Sequence, residues 1–493
     1  MKIKRLAALC LALVLALSLA GCGIKNQPEM AVDGKTELVL DCEAERYTLD
    51  LNLDTEADEL TGTATVTVKN TADEALDRLC FYLFVEHGPD AGAIEAATNT
   101  ETGEAYRWGK SEETSDAYDI WLSTPLVSGA ETTVTLRFRQ SVPEGEGRLA
   151  NLPCAHGKLY SMMLCFPTLV ARYDGEWQPH DFFKSGEVGC HNMSDYDVTF
   201  TCAPEYQVLA SGHQTTADGV TAIEAKNVRE MCIFACNDMT VDTVEQDGIT
   251  YHFARPNYKT PSAKLSERAY QLVKENALAS VAMYTEKIGP YIYDELDLIP
   301  IAYEDEDYVS DIGGMEMPGI ITYDLPIDSA EDYTSYFMIE TVAHEVGHEW
   351  FYCAVGDDQY REPWLDESFA DFLDSYYTEN AAEEYGADLS DDTLDLLDQL
   401  SGHDAGTPEY INLPCTEYKD DYIIVYACGQ DFLFALEKAM GSETFFEMLQ
   451  DWYRTNTGKI ATGSAFVNTV LRYDGSAAVQ KVLRHYLDDD YLY

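Results

Sequence analysis

The chain has 493 residues, and its 88 acidic residues against 32 lysines and arginines give a formal net charge of −56. This charge excludes nucleic acid as a partner, because the phosphate backbone would be repelled. We interpret it as a solvated acidic shell that keeps the protein in solution. The length is too great for one hydrophobic core, so we expect two or three domains.

The N-terminal segment has the pattern of an export signal. Basic residues precede an apolar stretch that ends in Leu19-Ala20-Gly21-Cys22. This stretch is too short to span a bilayer, and it predicts a signal peptide over residues 1–21. The ending resembles a bacterial lipoprotein cleavage site, which implies a lipid on Cys22 and a polar tether over residues 22–37. The protein is then expected on the extracytoplasmic face of the bacterial membrane; an ordinary secretory signal is the alternative.

A β-rich region is predicted for residues 38–245. Apolar residues alternate with polar ones in segments such as Thr63–Val68 and Val134–Phe138, and turn residues separate the runs. Strict alternation is typical of strands with one buried face. We therefore expect an N-terminal domain of antiparallel β-sheet.

The spacing of apolar residues changes near residue 250 from the alternation of strands to a helical pattern. Residues 246–493 are predicted to form a mainly helical domain. A helical pattern runs from Pro261 to Ile288 and stops at Gly289-Pro290. Two strand-like runs follow, Leu296–Ala302 and Gly319–Leu325, and from residue 335 the chain is predicted to be helical. The fold class is thus α+β, with strands first and helices after them.

His344-Glu345-Val346-Gly347-His348 is the most specific chemical signal in the chain, and Glu367 follows His348 by 19 positions. Residues i and i+4 share one face of a helix, so both histidines can bind one metal ion. A catalytic zinc ion takes three protein ligands and keeps one open position. We predict one zinc ion per chain, bound by His344, His348 and Glu367, with Glu345 acting on the water that the metal holds.

The segments around this motif resemble the gluzincin metallopeptidases of the aminopeptidase N type. The segments that carry the resemblance are His344–Phe351, Trp364–Ala370, Gly313–Gly319, Tyr426–Gly441 and, more weakly, Tyr47–Asp54 and Leu60–Val66. The resemblance implies a thermolysin-like catalytic domain over residues 246–493. Larger members of the family carry a further helical C-terminal domain, which this chain is expected to lack.

The resemblance also implies the roles of individual residues. Tyr426 is expected to donate to the developing oxyanion, with Tyr418 and Tyr422 as competitors. Glu316 is expected to bind the free α-ammonium of a peptide, and Gly314 and Met315 beside it are expected to contact the substrate. The chain departs from the family at Met317, where the family often has asparagine.

These inferences predict a membrane-anchored zinc aminopeptidase that acts on peptides. The first alternative is a zinc endopeptidase or another zinc hydrolase on the same fold, which Met317 and the missing C-terminal domain leave open. The second is a non-enzymatic binding lipoprotein. Asp371, four residues after Glu367, can orient a zinc-binding histidine or be a solvated helix charge. The sequence leaves the oligomeric state and the preferred N-terminal residue open.

Overall fold

The architecture below comes from a computed structural model of the chain. It describes residues 37–84, 88, 91–145, 147–183, 186, 189–259, 267–301, 313–324, 331–380, 410–418 and 424–488. For residues 268, 331–338 and 380 only the backbone is described. The predicted signal peptide, Cys22, most of the tether and Tyr422 lie outside the described residues.

The N-terminal region is built from strands β1 to β17. In chain order these are β1 Cys42–Asp54, β2 Glu59–Asn70, β3 Leu76–Tyr82, β4 Gly92–Asn99, β5 Arg107–Lys110, β6 Ala117–Leu126, β7 Glu131–Ser141, β8 Leu149–Cys154, β9 Gly157–Met162, β10 Thr168–Leu169, β11 Arg172–Tyr173, β12 Glu176–Trp177, β13 Ser194–Thr201, β14 Gln207–Ala210, β15 His213–Ala217, β16 Val220–Val228 and β17 Ile233–Cys236. They confirm the β-rich region that alternation predicted.

The largest sheet of this region has the strand order β15-β16-β13-β1-β2-β7-β4. Its neighbouring strands are antiparallel except for β1 and β13, which are parallel. Tyr47 and Tyr196 face each other across this parallel pair and stack with ring centroids 4.8 Å apart. The domain is thus antiparallel as expected apart from this one pair of strands. Because β1 and β13 are far apart in sequence, no tight turn dictates their direction.

Three smaller sheets complete the region. Their orders are β10-β3-β6-β5, β14-β17-β9-β8 and β11-β12. Buried apolar side chains such as Leu51, Val66, Leu136 and Phe200 form one core between the sheets. This burial of alternating positions is what stabilises the domain.

A five-stranded sheet begins the second region, with the order β18-β19-β20-β22-β21. Its strands are β18 Met239–Gln246, β19 Ile249–Pro256, β20 Glu295–Ile301, β21 Gly314–Met317 and β22 Ile320–Asp324. The central strands β19, β20 and β22 are parallel, and β18 and β21 are antiparallel edges. The domain boundary predicted at 245/246 falls inside β18, whereas the sheet to which this strand belongs begins at Met239.

Helix α1 Glu267–Lys287 lies between β19 and β20 in the chain, and the other helices follow the sheet. These are α2 Glu331–His348, α3 Glu367–Asn380, α4 Ile424–Met440, α5 Ser442–Asn456, α6 Gly463–Tyr473 and α7 Ala477–Tyr486, with a 3-10 turn at Pro363–Leu365. The helices share one apolar core with the five-stranded sheet. The Tyr284 hydroxyl on α1 donates to the Ala343 carbonyl on α2 at 3.0 Å, which fixes the two helices together. Every helix in the described part of the chain is too short or too polar to cross a membrane.

Arg229 joins the two regions. It is 2% exposed, and its guanidinium donates to the carbonyls of Tyr352, Ala354, Lys459 and His191 at 2.6–3.1 Å. Buried charges are tolerated only where such donors are satisfied. The N-terminal region therefore holds the loop that follows α2, directly behind the predicted metal motif.

Candidate metal centre

Three predicted ligands meet at the C-terminal end of α2. His344 Nε2 lies 3.0 Å from His348 Nε2 and 3.4 Å from Glu367 Oε2, and His348 Nε2 lies 3.3 Å from the same oxygen. A tetrahedral zinc ion with bonds of about 2.0–2.1 Å places its donors about 3.3–3.4 Å apart. The donor set and its spacing therefore fit zinc.

The opposite ring nitrogens are held by other groups. His344 Nδ1 lies 3.2 Å from Asp374 Oδ2 and 3.3 Å from Asp371 Oδ1, and His348 Nδ1 lies 3.3 Å from the Phe351 carbonyl. Such partners fix the tautomer and leave Nε2 as the metal-binding atom. Asp371 thus lies where the orienting role requires it. Asp374, which the sequence analysis missed, is the more buried of the two carboxylates, with its side chain 2% exposed against 23%.

Small residues allow the three helices of the centre to pack closely. A Cβ on Gly347 of α2 would lie 3.2 Å from the Ala370 Cα of α3, and one on Gly429 of α4 would lie 1.8 Å from Ser368 Oγ. Ser368 Oγ also donates to the Val425 carbonyl at 2.6 Å. The close approach of α4 to α3 brings Tyr426, which precedes Gly429 by one turn, to the predicted metal ligand Glu367.

Tyr426 is hydrogen-bonded to that ligand. Its hydroxyl donates to Glu367 Oε1 at 2.6 Å, while Glu367 Oε2 faces the histidines. Tyr418, the competitor, is 1% exposed and its hydroxyl donates to the Ile411 carbonyl. Of these two tyrosines, only Tyr426 reaches the centre.

The edge strand β21 carries the predicted amine-binding residue to the same place. Gly314 and Glu316 lie on one face of the strand, and Met315 and Met317 lie on the other, where both pack in the apolar core. A Cβ on Gly314 would lie 2.3 Å from Glu345 Oε1, so a larger residue there would displace the carboxylate of the proposed base. A Glu316 carboxylate oxygen lies within 4.8 Å of a His348 ring nitrogen and of an Asp366 oxygen.

The core position of the two methionines bears on two expectations. A substrate contact from Met315 has to come from its main chain, because its side chain is 5% exposed. Met317, which stands where the family often has asparagine, faces away from Glu316. The substitution therefore leaves the carboxylate of Glu316 on the side of the metal centre.

Gln359 holds Glu316 in place, and sequence reasoning missed it. Its Nε2 donates to Glu316 Oε1 at 3.3 Å and to Asp366 Oδ2 at 2.8 Å. Its Oε1 accepts from the Gly189 N–H at 2.9 Å, so the N-terminal region also anchors it. No motif marks a lone glutamine in a loop, and only the folded chain brings it to the site.

Carboxyl groups are concentrated in this buried centre. Burial, together with the Glu345 and Glu367 carboxylates, holds the pKa of Glu316 well above its usual range. Burial and Glu367 likewise raise the pKa of Asp366. Burial alone would raise the pKa of Glu367, but hydrogen bonds with His344 and His348 outweigh it and lower that pKa. The centre therefore favours cations.

Glu349 has a structural role. It is 1% exposed, and its carboxylate accepts from the Gly319 N–H at 3.1 Å, which fixes the turn between β21 and β22. Burial raises the pKa of Glu349 to about 8.

Comparisons with known proteins relate part of the chain to a family of peptidases. Residues 274–486 match a family model described as the peptidase family M1 domain. The chain is 29% identical over 194 residues to a probable aminopeptidase 2 of Sulfurisphaera tokodaii. This alignment covers 36% of this chain and 24% of that protein. The chain is also 27% identical over 184 residues to leucine aminopeptidase 2 of Aspergillus niger, covering 36% of this chain and 29% of that protein. The chain thus spans about a quarter of the length of these relatives.

Solved structures share the whole architecture. An M1 zinc metallopeptidase from Deinococcus radiodurans aligns with a TM-score of 0.60 at 18% identity, over 92% of this chain and 95% of that one. A mutant of an M1 zinc metallopeptidase from the same organism, bound to a Tyr-Ser-Ala substrate, gives the same score, identity and coverage. At this identity the likeness shows the fold alone. It confirms the predicted β domain followed by a mainly helical domain.

Proposed function

We propose that the protein is a zinc aminopeptidase that removes N-terminal residues from peptides, because residues 274–486 match a family model described as the peptidase family M1 domain. The residues that would hold the zinc ion are His344, His348 and Glu367. Bound there, zinc supplies a water acidified toward neutrality and polarises the scissile carbonyl.

The buried carboxylate of Glu316 carries the proposal that the enzyme is an exopeptidase. It faces the metal centre from an edge strand, within 4.8 Å of a His348 nitrogen. A carboxylate that is 5% exposed needs a cationic partner to be stable in its ionised form. The α-ammonium of a peptide lies one residue from the scissile bond, so pairing with Glu316 positions the first peptide bond at the metal.

The other residues handle protons and developing charge. Glu345 accepts the proton of the attacking water and delivers it to the leaving amine nitrogen. The Tyr426 hydroxyl, now 2.6 Å from Glu367, turns to donate to the carbonyl oxygen as negative charge develops there. Gln359 keeps Glu316 in place throughout, since it is tied to Asp366 and Gly189.

Chelation of the metal tests the proposal. We expect the purified protein to hydrolyse aminoacyl fluorogenic substrates, to lose this activity in a chelator and to regain it when zinc is added back. His348→Ala should remain inactive after zinc addition, because it lacks a ligand. Turnover that is unaffected by chelator and by the His348 substitution would contradict the proposal.

We further propose that the enzyme is exported and anchored to the membrane by a lipid on Cys22. The support is the sequence alone, in which Leu19-Ala20-Gly21 precedes this cysteine directly. Cys22→Ser should release the protein from the membrane fraction or leave its signal peptide uncleaved. If the substituted protein fractionates and matures like the parent, the anchor is wrong.

A further inference from the structure

A second cluster of metal-ligating side chains lies on strands β19 and β20, which contribute no ligand to the first centre. These strands are parallel and His252 is the cross-strand partner of Asp297. Glu295 lies two residues before Asp297 and so points to the same face of the sheet. The register alone therefore gathers one imidazole and two carboxylates.

The donor atoms of this cluster converge. His252 Nδ1 lies 2.8 Å from Asp297 Oδ1 and 3.2 Å from Glu295 Oε1. One donor atom from each of the three residues lies within 4.8 Å of the others, which is also true of His344, His348 and Glu367. Imidazole nitrogen with carboxylate oxygen is a ligand set that suits zinc and similar divalent ions.

Burial makes the cluster costly without a cation. Asp297 is 0% exposed, and its Oδ2 has no hydrogen-bond partner among the described residues. A buried carboxylate oxygen without a partner loses free energy relative to water. A metal ion on the carboxylates of Glu295 and Asp297 would offset that cost.

A further imidazole, from the N-terminal region, lies beside the cluster. His213, on β15, has its Nδ1 3.3 Å from Glu295 Oε2 and its Nε2 3.1 Å from the Asp294 carboxylate. Its side chain is 63% exposed. Glu295 already bridges His213 and His252, which places the cluster at the junction of the two regions.

We propose that His252, Glu295 and Asp297 form a second site for a divalent transition-metal ion such as zinc, with His213 completing the coordination. The site has no role in the proposed hydrolysis. By binding groups from β15, β19 and β20 together, the ion would tie the N-terminal region to the five-stranded sheet.

A proton is the competing occupant of this site. Hydrogen bonds with Asp297 and Glu295 raise the pKa of His252 to about 10, despite its partial burial. A protonated imidazole thus satisfies part of the same negative charge. Metal binding at neutral pH has to displace this proton, so the count of bound metal ions decides between the two occupants.

Metal stoichiometry tests the proposal. The full chain would be equilibrated with zinc, separated from free metal and analysed by inductively coupled plasma mass spectrometry. We expect two zinc ions in the parent protein and one in His348→Ala, whose first centre lacks a ligand. One ion in the parent and none in His348→Ala would overturn the proposal and leave His252 as an ion-pair residue.

Substitution at the second cluster gives the reciprocal result. Asp297→Asn keeps the shape of the side chain, and we expect it to lose one zinc ion while activity stays within about twofold of the parent. The control is Asp247→Asn, an exposed position in the β18–β19 turn, which should keep both ions. If Asp297→Asn does not fold, the number of zinc ions bound to His348→Ala still decides whether the second site exists. This count does not depend on whether the protein is an aminopeptidase.

Discussion

Replacing Glu316 with glutamine removes one buried charge from the metal centre and little else. The amide oxygen can still accept from Gln359 Nε2, which donates to Glu316 at 3.3 Å in the parent, so the strand should stay in place. An ammonium and a carboxylate about 4 Å apart attract by about 4 kcal/mol at an effective dielectric constant of about 20. Desolvation of both ions offsets part of this attraction. A net loss of about 2–3 kcal/mol corresponds to a fall in kcat/KM of about 30- to 160-fold.

The assay compares one peptide in two forms, with a free and with an acetylated N-terminus. The parent should prefer the free form, and Glu316→Gln should lose most of that preference while keeping its zinc. Glu245→Gln, at an exposed position on β18 of the same sheet, is the control and should match the parent. Efficient parental cleavage of the acetylated peptide would refute the exopeptidase reasoning. A mutant that still prefers the free amine would show that Glu316 does not bind it.

Three further substitutions separate the roles of neighbouring groups. Glu345→Gln should abolish turnover and keep zinc, because the residue moves the proton and does not bind the metal; activity and metal content are measured on one preparation. Tyr426→Phe should lower kcat by about 100- to 1000-fold with KM and zinc unchanged, since one oxyanion donor is lost. Asp374→Asn should weaken zinc binding about 10- to 100-fold, as measured by competition with a chromophoric chelator, because His344 Nδ1 loses a carboxylate partner.

For each of these substitutions, one result would contradict the role assigned to the residue. Residual activity of Glu345→Gln near the parental level would assign the proton transfer to another group. A fall in zinc content for Tyr426→Phe would mean that the tyrosine chiefly positions Glu367, to which it is hydrogen-bonded. Unchanged zinc affinity in Asp374→Asn, alongside a loss in Asp371→Asn, would make Asp371 the carboxylate that orients His344.

The convergence of the two histidines proposed as zinc ligands was predictable because their geometry is local. His344 and His348 are one helical turn apart, and a helix fixes their relative position whatever surrounds it. Asp374 could also have been found, since it lies two turns after Glu367 on the same face of α3. The alternation of side chains along β21 likewise indicates that Glu316 and Met317 face opposite ways. Methionine in place of the family's asparagine is therefore only weak evidence against an amine-binding role for Glu316.

What the sequence could not supply depends on contacts between distant segments. Gln359 reaches Glu316 only because a loop behind α2 is held by the N-terminal region, and nothing in the local sequence marks it. The parallel pairing of β1 with β13 and the juxtaposition of His252 with Asp297 are set by sheet register. Hydrophobic alternation identifies a strand, but it does not name the neighbour of that strand.

The most direct test of the central claim is the mass spectrum of products from one unblocked peptide incubated with the zinc-loaded protein. The account predicts a ladder in which residues leave one at a time from the N-terminus, and this ladder should disappear in the presence of a chelator. Internal fragments that form without single-residue losses, or a ladder that persists with the metal removed, would contradict it.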